Sequence, residues 1–414
     1  MTDQDRMSPE QKHPVRRATV DITPLQLFVM VGLIFVLGLL VGSQAALSGV
    51  GSRVFPAEDQ ETLLPFYQTF RAIEEDYIGD YERDDLIDAA ISGMVDALGD
   101  VYSAYLTPET YRSLNVSLSG DVEGIGASVA ENQETGELEV VAVLPDTPAE
   151  AAGVQVGDVF VAVDGQDVTG QSLLDVLPLV RGPAGSTVTI TFRRNGELVE
   201  LTITRGRFEA PTVFQRVLDD DIAYISVRDF NTRSREQLLE ALDAVEVNTR
   251  RGLVIDMRGN PGGRLSAAVE VASLFIEDGV VLVEEFADGT EQVLEADGSY
   301  AGVDVPLVVL VDGRSASAAE LFAGALRDSG SVTVVGEQTY GKGSVQIVRE
   351  LANGGALRLT ISRWLTPDRE SIDGAGITPD VMVALPEDYD FARDGDLFIE
   401  TAVDLILDVT VSAG

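Results

Sequence analysis

Residues 252–263 read GLVIDMRGNPGG, and this run predicts the fold of the main body of the chain. Its first half is apolar except for one aspartate, which is typical of a buried strand, and its second half has the glycines and proline of a tight turn. A helix is predicted next, because apolar side chains recur at helical spacing, at Leu265, Ala268, Val269, Ala272, Phe275 and Ile276. The stretch therefore predicts a strand, a turn and a helix in succession.

The same succession recurs later in the chain. Residues 306–311 predict a second buried strand, and the turn at residues 312–317, DGRSAS, leads into a helix that runs through Arg327. The inner face of that helix would carry Ala318, Leu321, Phe322 and Ala325. Repeated units of this kind favour a mainly parallel sheet whose functional groups gather at the strand ends.

Two more strands are predicted at residues 332–336 and 344–350, on either side of Lys342. Together with the two earlier units they predict an α/β core over residues 208–386.

The composition excludes several kinds of site. The chain has 414 residues, 45% of them hydrophobic, which is enough for two or three domains with cores of their own. Its formal net charge of −40 would repel nucleic acid, so we expect no nucleic-acid partner. There is no cysteine, and the single histidine is His13, near the amino terminus. Cysteine nucleophiles, cysteine or histidine metal sites and a Ser-His-Asp triad are therefore excluded from the main body.

We accordingly expect no metal and no cofactor. With 69 acidic residues, a site made of carboxylates alone stays open.

Lysine is the most informative residue type. Of 29 basic residues 27 are arginine, and the two lysines are Lys12, near the amino terminus, and Lys342. Arginine stays charged at any ordinary pH, whereas a buried lysine can lose its proton and act as a base. The contrast indicates that Lys342 has a chemical role. The alternative is that this lysine remains by evolutionary drift and has no role.

The amino-terminal segment predicts a membrane anchor. Residues 1–23 are polar with basic side chains, and residues 25–47 form a run of 23 residues without a charge, long enough to cross a bilayer as a helix. The basic flank places the amino terminus in the cytoplasm. We predict a cytoplasmic leader at 1–23, a single-pass anchor in the cell membrane at 24–47 and an extracytoplasmic body. A signal peptide cleaved near residues 43–45 is the alternative.

Both flanks of the body have helical periodicity. Residues 48–117 contain apolar side chains at helical spacing, including Leu63, Phe66 and Phe70. We predict an N-terminal helical region there and a second helical segment at residues 387–414.

Residues 118–207 have a different pattern, in which short predicted strands alternate with glycine and proline. A short helix ends at Gly153, and Asn195-Gly196 predicts a hairpin turn. The order of these features resembles a PDZ domain of the α+β class. By that resemblance, the loop that holds a peptide's terminal carboxylate is Gly124, Ile125, Gly126 and Ala127, and the next strand would pair with the peptide.

Ser317 lies where a predicted strand turns into a helix. Backbone N–H groups at the start of a helix have no helical partner, and with the helix dipole they would stabilise an oxyanion beside the serine hydroxyl. The alternative is that Ser317, like Ser315, is an ordinary helix cap.

Lys342 lies between Gly341 and Gly343, which allow it to enter a tight site. A base near neutral pH must lose its proton, and burial can lower a lysine pKa by up to about 3–5 units. Gln346 is four residues further along a predicted strand, hence on the same face, where its amide could orient the amine.

The run at residues 336–343, GEQTYGKG, is similar to a phosphate-binding loop. Glycine replaces the hydroxyl residue that would bind magnesium, and a strand follows instead of a helix, so we reject a nucleotide site.

Taken together, these stretches resemble the carboxy-terminal processing (tail-specific) peptidases, a serine–lysine family with an inserted PDZ domain. The resemblance covers residues 60–385. It rests on six features in order, namely GM at 93–94 with YLTPE at 105–109, the PDZ-like region, DMRGNPGG at 256–263, SASAAE at 315–320, GE at 336–337 with GKG at 341–343, and GITPD at 376–380.

The resemblance implies a serine endopeptidase that cleaves proteins near their carboxyl termini. Ser317 would be the nucleophile, Lys342 the general base and Gln346 the residue that orients it. The N–H groups of Ala318 and of the turn at Gly262 and Gly263 would form the oxyanion hole.

The same resemblance implies a crotonase-like core and a PDZ domain that recruits substrate tails, which we expect to be apolar, and gates the site. It also implies a homodimer formed through the terminal helical segments. Arg181 resembles a family position that links the PDZ domain to the core, and the alternative is an ordinary exposed arginine. Before Tyr105 the family's Asp-Pro-His-Ser is replaced by GDVYS at 99–103.

Two other functions are compatible with parts of this pattern. One is a non-catalytic scaffold that presents partners at a membrane, which the joint presence of serine, lysine and glutamine argues against. The other is an acyl-CoA enzyme of crotonase type, which rests on fold analogy alone and conflicts with the export signal.

Overall fold

In the computed structural model, residues 252–263 fold as part of a strand, a turn and the approach to a helix, as predicted. The structure describes residues 57–132, 135–330, 332–386 and 389–412. The predicted leader at 1–23 and anchor at 24–47 lie outside these ranges. Of the helices that are described, none combines the length and apolar character needed to cross a membrane.

The chain divides into two units, one ending at Glu82 and one beginning at Arg83. The helix of the first unit is α1 (Ala57–Asp76). The helices of the second unit are α2 (Arg83–Asp96), α3 (Pro108–Leu118), α4 (Pro148–Ala152), α5 (Leu173–Val180), α6 (Ser234–Ala244), α7 (Leu265–Ala272), α8 (Ala318–Asp328), α9 (Phe391–Asp394) and α10 (Leu397–Ser412), with a 3₁₀ turn at Val247–Thr249.

All the strands that the structure describes belong to the second unit. They are β1 (Ala104–Leu106), β2 (Asp121–Gly124), β3 (Ala127–Glu131), β4 (Leu138–Val143), β5 (Val159–Val163), β6 (Gln166–Asp167), β7 (Thr187–Arg194), β8 (Glu197–Thr204), β9 (Gly206–Glu209), β10 (Val213–Val217), β11 (Ala223–Val227), β12 (Leu253–Asp256), β13 (Val280–Phe286), β14 (Glu291–Glu295), β15 (Leu307–Val311), β16 (Val332–Gly336), β17 (Ser344–Glu350), β18 (Ala356–Leu365) and β19 (Val381–Met382).

A mainly parallel sheet forms the centre of the core, in the order β10-β11-β12-β15-β16-β19. All neighbours are parallel except β10, which is antiparallel to β11. Alternate residues of a strand face opposite sides, and both sides are covered here. Ile255 packs with α6, α7 and α8, whereas Val254 packs with α10. Burial on both faces explains why these strands are almost continuously apolar.

A second, antiparallel sheet lies beside the first, in the order β1-β18-β13-β14, with β17 also paired to β18. Its strand β1 lies within residues 48–117, which were predicted to be helical. That prediction is wrong for residues 104–106, because pairing of Ala104 with Arg358 determines their conformation.

The helix predicted after residue 263 is also shorter than expected. It ends at Ala272, and the N–H groups of Phe275 and Ile276 both donate to the Ala272 carbonyl as the chain turns away. Both side chains are nevertheless buried, as their apolar character requires.

The region with the PDZ-like pattern is a small domain with a sheet in the order β3-β4-β5-β7-β8. Its hairpin turns at Asn195 and Gly196, which both have positive φ, as a two-residue turn between twisted strands requires. The antiparallel pair β2 and β9 forms the neck that connects this domain to the core.

Candidate active site

Three loops meet at the carboxyl edge of the parallel sheet. They follow the neighbouring strands β12, β15 and β16, and carry the glycine turn, Ser317 and Lys342 respectively. Loops at this edge are the usual position of a site in an α/β fold. The sheet order therefore brings together three segments that are separated along the chain.

Ser317 is half-buried at the N-cap position of α8, with φ 54° and ψ −114°. A positive φ is unusual for a residue other than glycine, and strain of this kind costs about 1–3 kcal/mol. Ser317 and Glu320 form a capping box at the start of α8: the Ser317 side chain faces the backbone N–H of Glu320, and the Glu320 carboxylate accepts from the N–H of Ser317. Capping therefore accounts for the position of Ser317, but it does not account for the strained φ.

The carboxylate of Glu320, which is completely buried, joins the serine loop to the lysine loop. Its Oε2 accepts from the N–H of Ser317 at 2.7 Å and from the N–H of Lys342 at 2.9 Å. Its Oε1 accepts from the N–H of Gly341 and from the hydroxyl of Thr339, both at 2.6 Å. Because Ser317 and Lys342 donate to one oxygen, their backbones lie side by side.

The turn after β12 is ordered by Asn260, another fully buried side chain. Its Nδ2 donates to the carbonyl of Val227, and its Oδ1 accepts from the N–H of Gly262 at 2.8 Å. The Asn260 carbonyl accepts from the N–H of Ala316, which ties the turn to the serine loop.

The two glycines of this turn allow a close approach that no other residue permits. A Cβ on Gly262 would lie 2.9 Å from the Ala318 nitrogen, and one on Gly263 would lie 2.1 Å from the Phe230 oxygen. Within the described ranges, the N–H groups of Gly263 and Ala318 have no protein acceptor. The N–H of Gly262 donates to Asn260 instead, so the prediction of Gly262 as an oxyanion donor is corrected.

Lys342 is half-buried, with its amine over the ring of Tyr102, 5.2 Å from the centroid. Burial lowers the pKa of Lys342 below its ordinary value, and the positive charge of Arg358 adds to that effect, while the Glu320 carboxylate opposes it. No hydrogen bond joins Lys342 Nζ to Ser317 Oγ in the part of the chain that is described.

Replacing Lys342 with methionine should raise the free energy of unfolding at neutral pH. The pKa of Lys342 is lower in the folded chain than the ordinary 10.5, so burying its charge opposes folding at low pH. As the pH rises towards 10.5 the folded chain loses this proton first, and its stability increases. The advantage of Lys342→Met should therefore shrink between pH 7 and pH 10. Urea unfolding across this range measures it, and a constant difference would contradict the assignment.

Within the described residues, Gln346 forms no hydrogen bond with Lys342. Its Nε2 donates to Ser344 Oγ at 2.9 Å and to Thr360 Oγ1 at 3.4 Å. The expectation assumed strand alternation from Lys342 onwards, but β17 begins at Ser344, so alternation does not extend back to the lysine.

The four residues of the predicted carboxylate-binding loop lie together at the start of the PDZ-like domain. Ile125 is buried in its core, and Gly126, with φ 87°, packs on Thr147. Ala127 begins β3, the edge strand of the sheet, and Gly124 ends β2. Among the described residues, the N–H groups of Ile125 and Gly126 have no acceptor.

Glu320 and Asn260 organise the site, yet the sequence reasoning gave neither a role. The spacing Ser317-x-x-Glu320 is that of a capping box, which could have identified Glu320. No comparable local signal exists for Asn260. Over the described ranges, no cluster of three or more His, Cys, Asp or Glu side chains could hold a metal ion.

Comparison with known protein families identifies the class of protein to which this fold and site belong. Family models match residues 221–383 as peptidase family S41, residues 139–194 as a PDZ domain and residues 43–110 as the N-terminal domain of the activating protease CtpB. The fold and these matches define a serine peptidase of family S41 that carries a PDZ domain.

The chain is 36% identical over 322 residues to the carboxy-terminal processing protease CtpA of Bacillus subtilis, covering 77% of this chain and 68% of that one. It is 35% identical over 347 residues to a probable CtpA-like serine protease of Staphylococcus haemolyticus, covering 83% and 69%. The chain therefore belongs to the carboxy-terminal processing proteases.

Two solved structures are also similar. The photosystem II D1 C-terminal processing protease has 30% identity and a TM-score of 0.47, with 78% of this chain and 94% of that chain covered. An S41 protease structure from Bacteroides fragilis has 16% identity and a TM-score of 0.52, with 81% and 92% covered, and shows the fold alone.

Proposed function

We propose that this protein is an endopeptidase in which Ser317 is the nucleophile and Lys342 the general base. The observation that carries the proposal is the Glu320 carboxylate, whose single oxygen Oε2 binds the backbone N–H of both residues. A serine with a strained backbone is thereby held beside the one lysine of the body. Their side chains form no hydrogen bond, and such contacts often tighten only when substrate binds.

The proposed reaction follows from these groups. The neutral Lys342 amine takes the hydroxyl proton as Ser317 Oγ bonds to the scissile carbonyl carbon. The N–H groups of Ala318 and Gly263 bind the resulting oxyanion. When the intermediate collapses, the C–N bond breaks and Lys342 returns the proton to the leaving amine. Water then hydrolyses the Ser317 ester by the same steps.

The lowered pKa of Lys342 supports this assignment, because only an amine without its proton can act as a base. The experiment is to incubate the full chain with an unstructured protein that has an apolar carboxyl-terminal tail and to identify the products by mass spectrometry. Products cut near the carboxyl terminus are expected. Intact substrate under all conditions would favour the scaffold function.

We further propose that the PDZ domain recruits the substrate's tail. A peptide would add to the free edge of β3 beside α5, with its terminal carboxylate on the N–H groups of Ile125 and Gly126. The two flanking residues, Gly124 and Ala127, join this loop to its strands.

Gating by the PDZ domain is supported by contacts from the neck to the oxyanion turn. Arg233 forms ion pairs with Asp121 and Glu209 of the two neck strands, at 3.0 Å and 2.9 Å. Phe230, three residues before Arg233, accepts from the N–H of Arg264 and donates to the carbonyl of Gly262. A displaced neck would therefore move the turn that carries the oxyanion donor.

Substituting Gly126 with alanine should weaken tail recruitment without changing the chemistry. The new Cβ would lie 2.3 Å from Thr147 Cβ, so the loop must shift. We expect KM for a tail-bearing protein to rise roughly tenfold, with kcat/KM for a short unrecruited peptide unchanged. A free tail peptide should activate the parent chain but not the variant, which tests gating in the same assay.

Gly165→Ala is the matched control. Gly165 also has positive φ, +79°, in the PDZ domain, but nothing lies within 4 Å of its Cβ position. If both variants lose recruitment equally, the loss reflects general strain, and the proposed carboxylate loop is wrong.

Three further features are proposals of the same kind. The sheet with helices on both faces supports a crotonase-like core, and residues 24–47 support a membrane anchor with the body outside the cytoplasm. Helical segments near both ends would support a homodimer. Membrane fractionation tests the anchor and its side, and sedimentation velocity tests the dimer.

A further inference from the structure

The Lys342 amine has one neighbour that its proposed role does not explain. Its Nζ lies 5.2 Å from the centroid of the Tyr102 ring, over the aromatic face. In the described part of the chain, no protein group forms a hydrogen bond with this Nζ. Gln346, expected to orient the amine, donates to Ser344 and Thr360 instead. In this structure the described contact of the amine is therefore with the Tyr102 ring and not with Gln346.

The Tyr102 segment is fixed to the second sheet rather than free to move. The N–H of Tyr102 donates to Asp100 Oδ1 at 3.0 Å, and its carbonyl accepts from Arg358 Nε at 2.9 Å. Ser103 Oγ donates to Asp100 Oδ2 and accepts from the N–H of Thr360 at 3.1 Å. The strand that follows, β1, pairs with β18. The ring is consequently presented to Lys342 by a rigid support.

We propose that Tyr102 is a positioning residue for Lys342: its ring holds the amine and keeps water from it, while Arg358 fixes Tyr102 and adds positive charge nearby. The inference rests on the proposed function, in which Lys342 is the base. It adds an aromatic ring, from the segment before β1, to the groups that orient the amine, beside the Gln346 amide that the resemblance implies.

The ring affects the proton on Lys342 in two opposite ways. Its face attracts an ammonium group, which favours the charged amine. By excluding water it favours the neutral amine, and full burial lowers a lysine pKa by up to about 3–5 units. Burial is the main cause of the lowered pKa of Lys342, and the ring covers part of the amine, so we expect water exclusion to be the larger of its two effects.

The other charged and titratable groups around the amine and the ring are few. Arg358 lowers the pKa of Lys342, and Glu320 raises it. Tyr340 and Asp373 lie close to Tyr102, and they reinforce the effect of burial in raising the pKa of that phenol. Asp373 is in turn 3.9 Å from Arg363. The net result of removing the ring is a lysine that keeps its proton to higher pH.

The test compares Tyr102→Leu with Tyr102→Phe in the full chain. We expect Tyr102→Leu to move the acid limb of the kcat/KM profile about one pH unit upward, and so to lower kcat/KM about tenfold near pH 7. Phenylalanine keeps the ring and should retain the parent profile. Arg358→Gln should move the limb in the same direction. Tyr67→Leu, an exposed tyrosine in α1, is the control and should change nothing.

Lysine scarcity allows a direct measurement that does not depend on activity. Because the chain has only Lys12 and Lys342, labelling lysine with ¹³C at the ε carbon gives two NMR signals, and their titration reports each pKa separately. The Lys342 signal should titrate at higher pH in Tyr102→Leu than in the parent, and the Lys12 signal should be the same in both. If Tyr102→Leu does not fold, Tyr102→Met, which also removes the ring, carries the same comparison.

An unchanged Lys342 titration in the folded variant that lacks the Tyr102 ring would overturn the inference while leaving the dyad intact. The dyad fails separately, if a chain that lacks Lys342 still cleaves substrate.

Discussion

A chain in which Lys342 is replaced by methionine should cleave substrate at least about 10³-fold more slowly, although it remains folded. Lys342 is the only lysine of the body, which contains no histidine, and the nearby Glu320 carboxylate already accepts hydrogen bonds from four donors. Methionine has a similar length and no proton-accepting nitrogen, so it removes the chemistry and largely preserves packing. Initial rates on the tail-bearing protein measure the loss.

The substitution Lys342→Arg distinguishes the role of Lys342 as a proton acceptor from the effect of its positive charge. A guanidinium stays protonated at every accessible pH, so it keeps a positive group in the site but cannot take the Ser317 proton. We expect it to be as inactive as Lys342→Met. Substantial activity in Lys342→Arg would mean that the lysine acts only through its charge, and the proposed mechanism would be wrong.

Ser317→Ala should show the same loss, and the double variant Ser317→Ala/Lys342→Met should be no slower than either single one. Groups that act as one unit are not additive, since removal of the first already ends their joint reaction. A further large loss in the double variant would indicate two independent contributions. Tail-peptide binding and the unfolding midpoint, measured on each variant, show that the PDZ domain and the core are intact.

The sequence pattern within a short segment was sufficient to predict the elements whose conformation depends mainly on that segment. The strands β12 and β15 are buried on both faces, so their apolar runs stand out, and glycine-rich turns mark where each one ends. The antiparallel sheet could not be predicted from such short segments. Its strand β1 has three residues and exists because it pairs with β18, which lies far along the chain.

The residues of the candidate site also fall into two groups, those that local sequence predicts and those whose contacts depend on long-range pairing. Ser317 and Lys342 were predicted because one lies at a strand-to-helix turn and the other is a rare residue type between glycines. Tyr102 reaches Lys342 only because the chain folds back through β1, and the hydrogen bonds of Gln346 depend on where β17 begins. Contacts that depend on such long-range pairing leave no periodic signal in a single sequence.

Glu320→Gln should lower both stability and activity, because it changes the group that joins the two halves of the site. Each carboxylate oxygen accepts from two donors, and an amide nitrogen can accept from none. The amide will place its nitrogen on the side of Thr339, whose hydroxyl can turn and accept. That orientation leaves the N–H of Gly341 without an acceptor and keeps the oxygen on Ser317 and Lys342.

The size of the effect follows from these contacts. One buried N–H without an acceptor costs about 1–3 kcal/mol, and the remaining hydrogen bonds lose the charge that strengthens them. We expect the free energy of unfolding to fall by about 2–4 kcal/mol, and kcat/KM to fall about 10- to 100-fold as the two backbones loosen. Glu320→Ala, which removes all four acceptor contacts, should abolish activity and destabilise the chain further.

Glu284→Gln is the matched control for these measurements. Glu284 is also buried, in β13, but within the described residues its carboxylate contacts only the hydroxyl of Ser362, which a glutamine oxygen can accept equally well. It should therefore lose less stability than Glu320→Gln and keep its activity. Equal effects of the two substitutions, in urea unfolding and in kcat/KM, would mean that the loss reflects burial of an amide in general. Glu320 would then not be the group that holds the nucleophile beside the base.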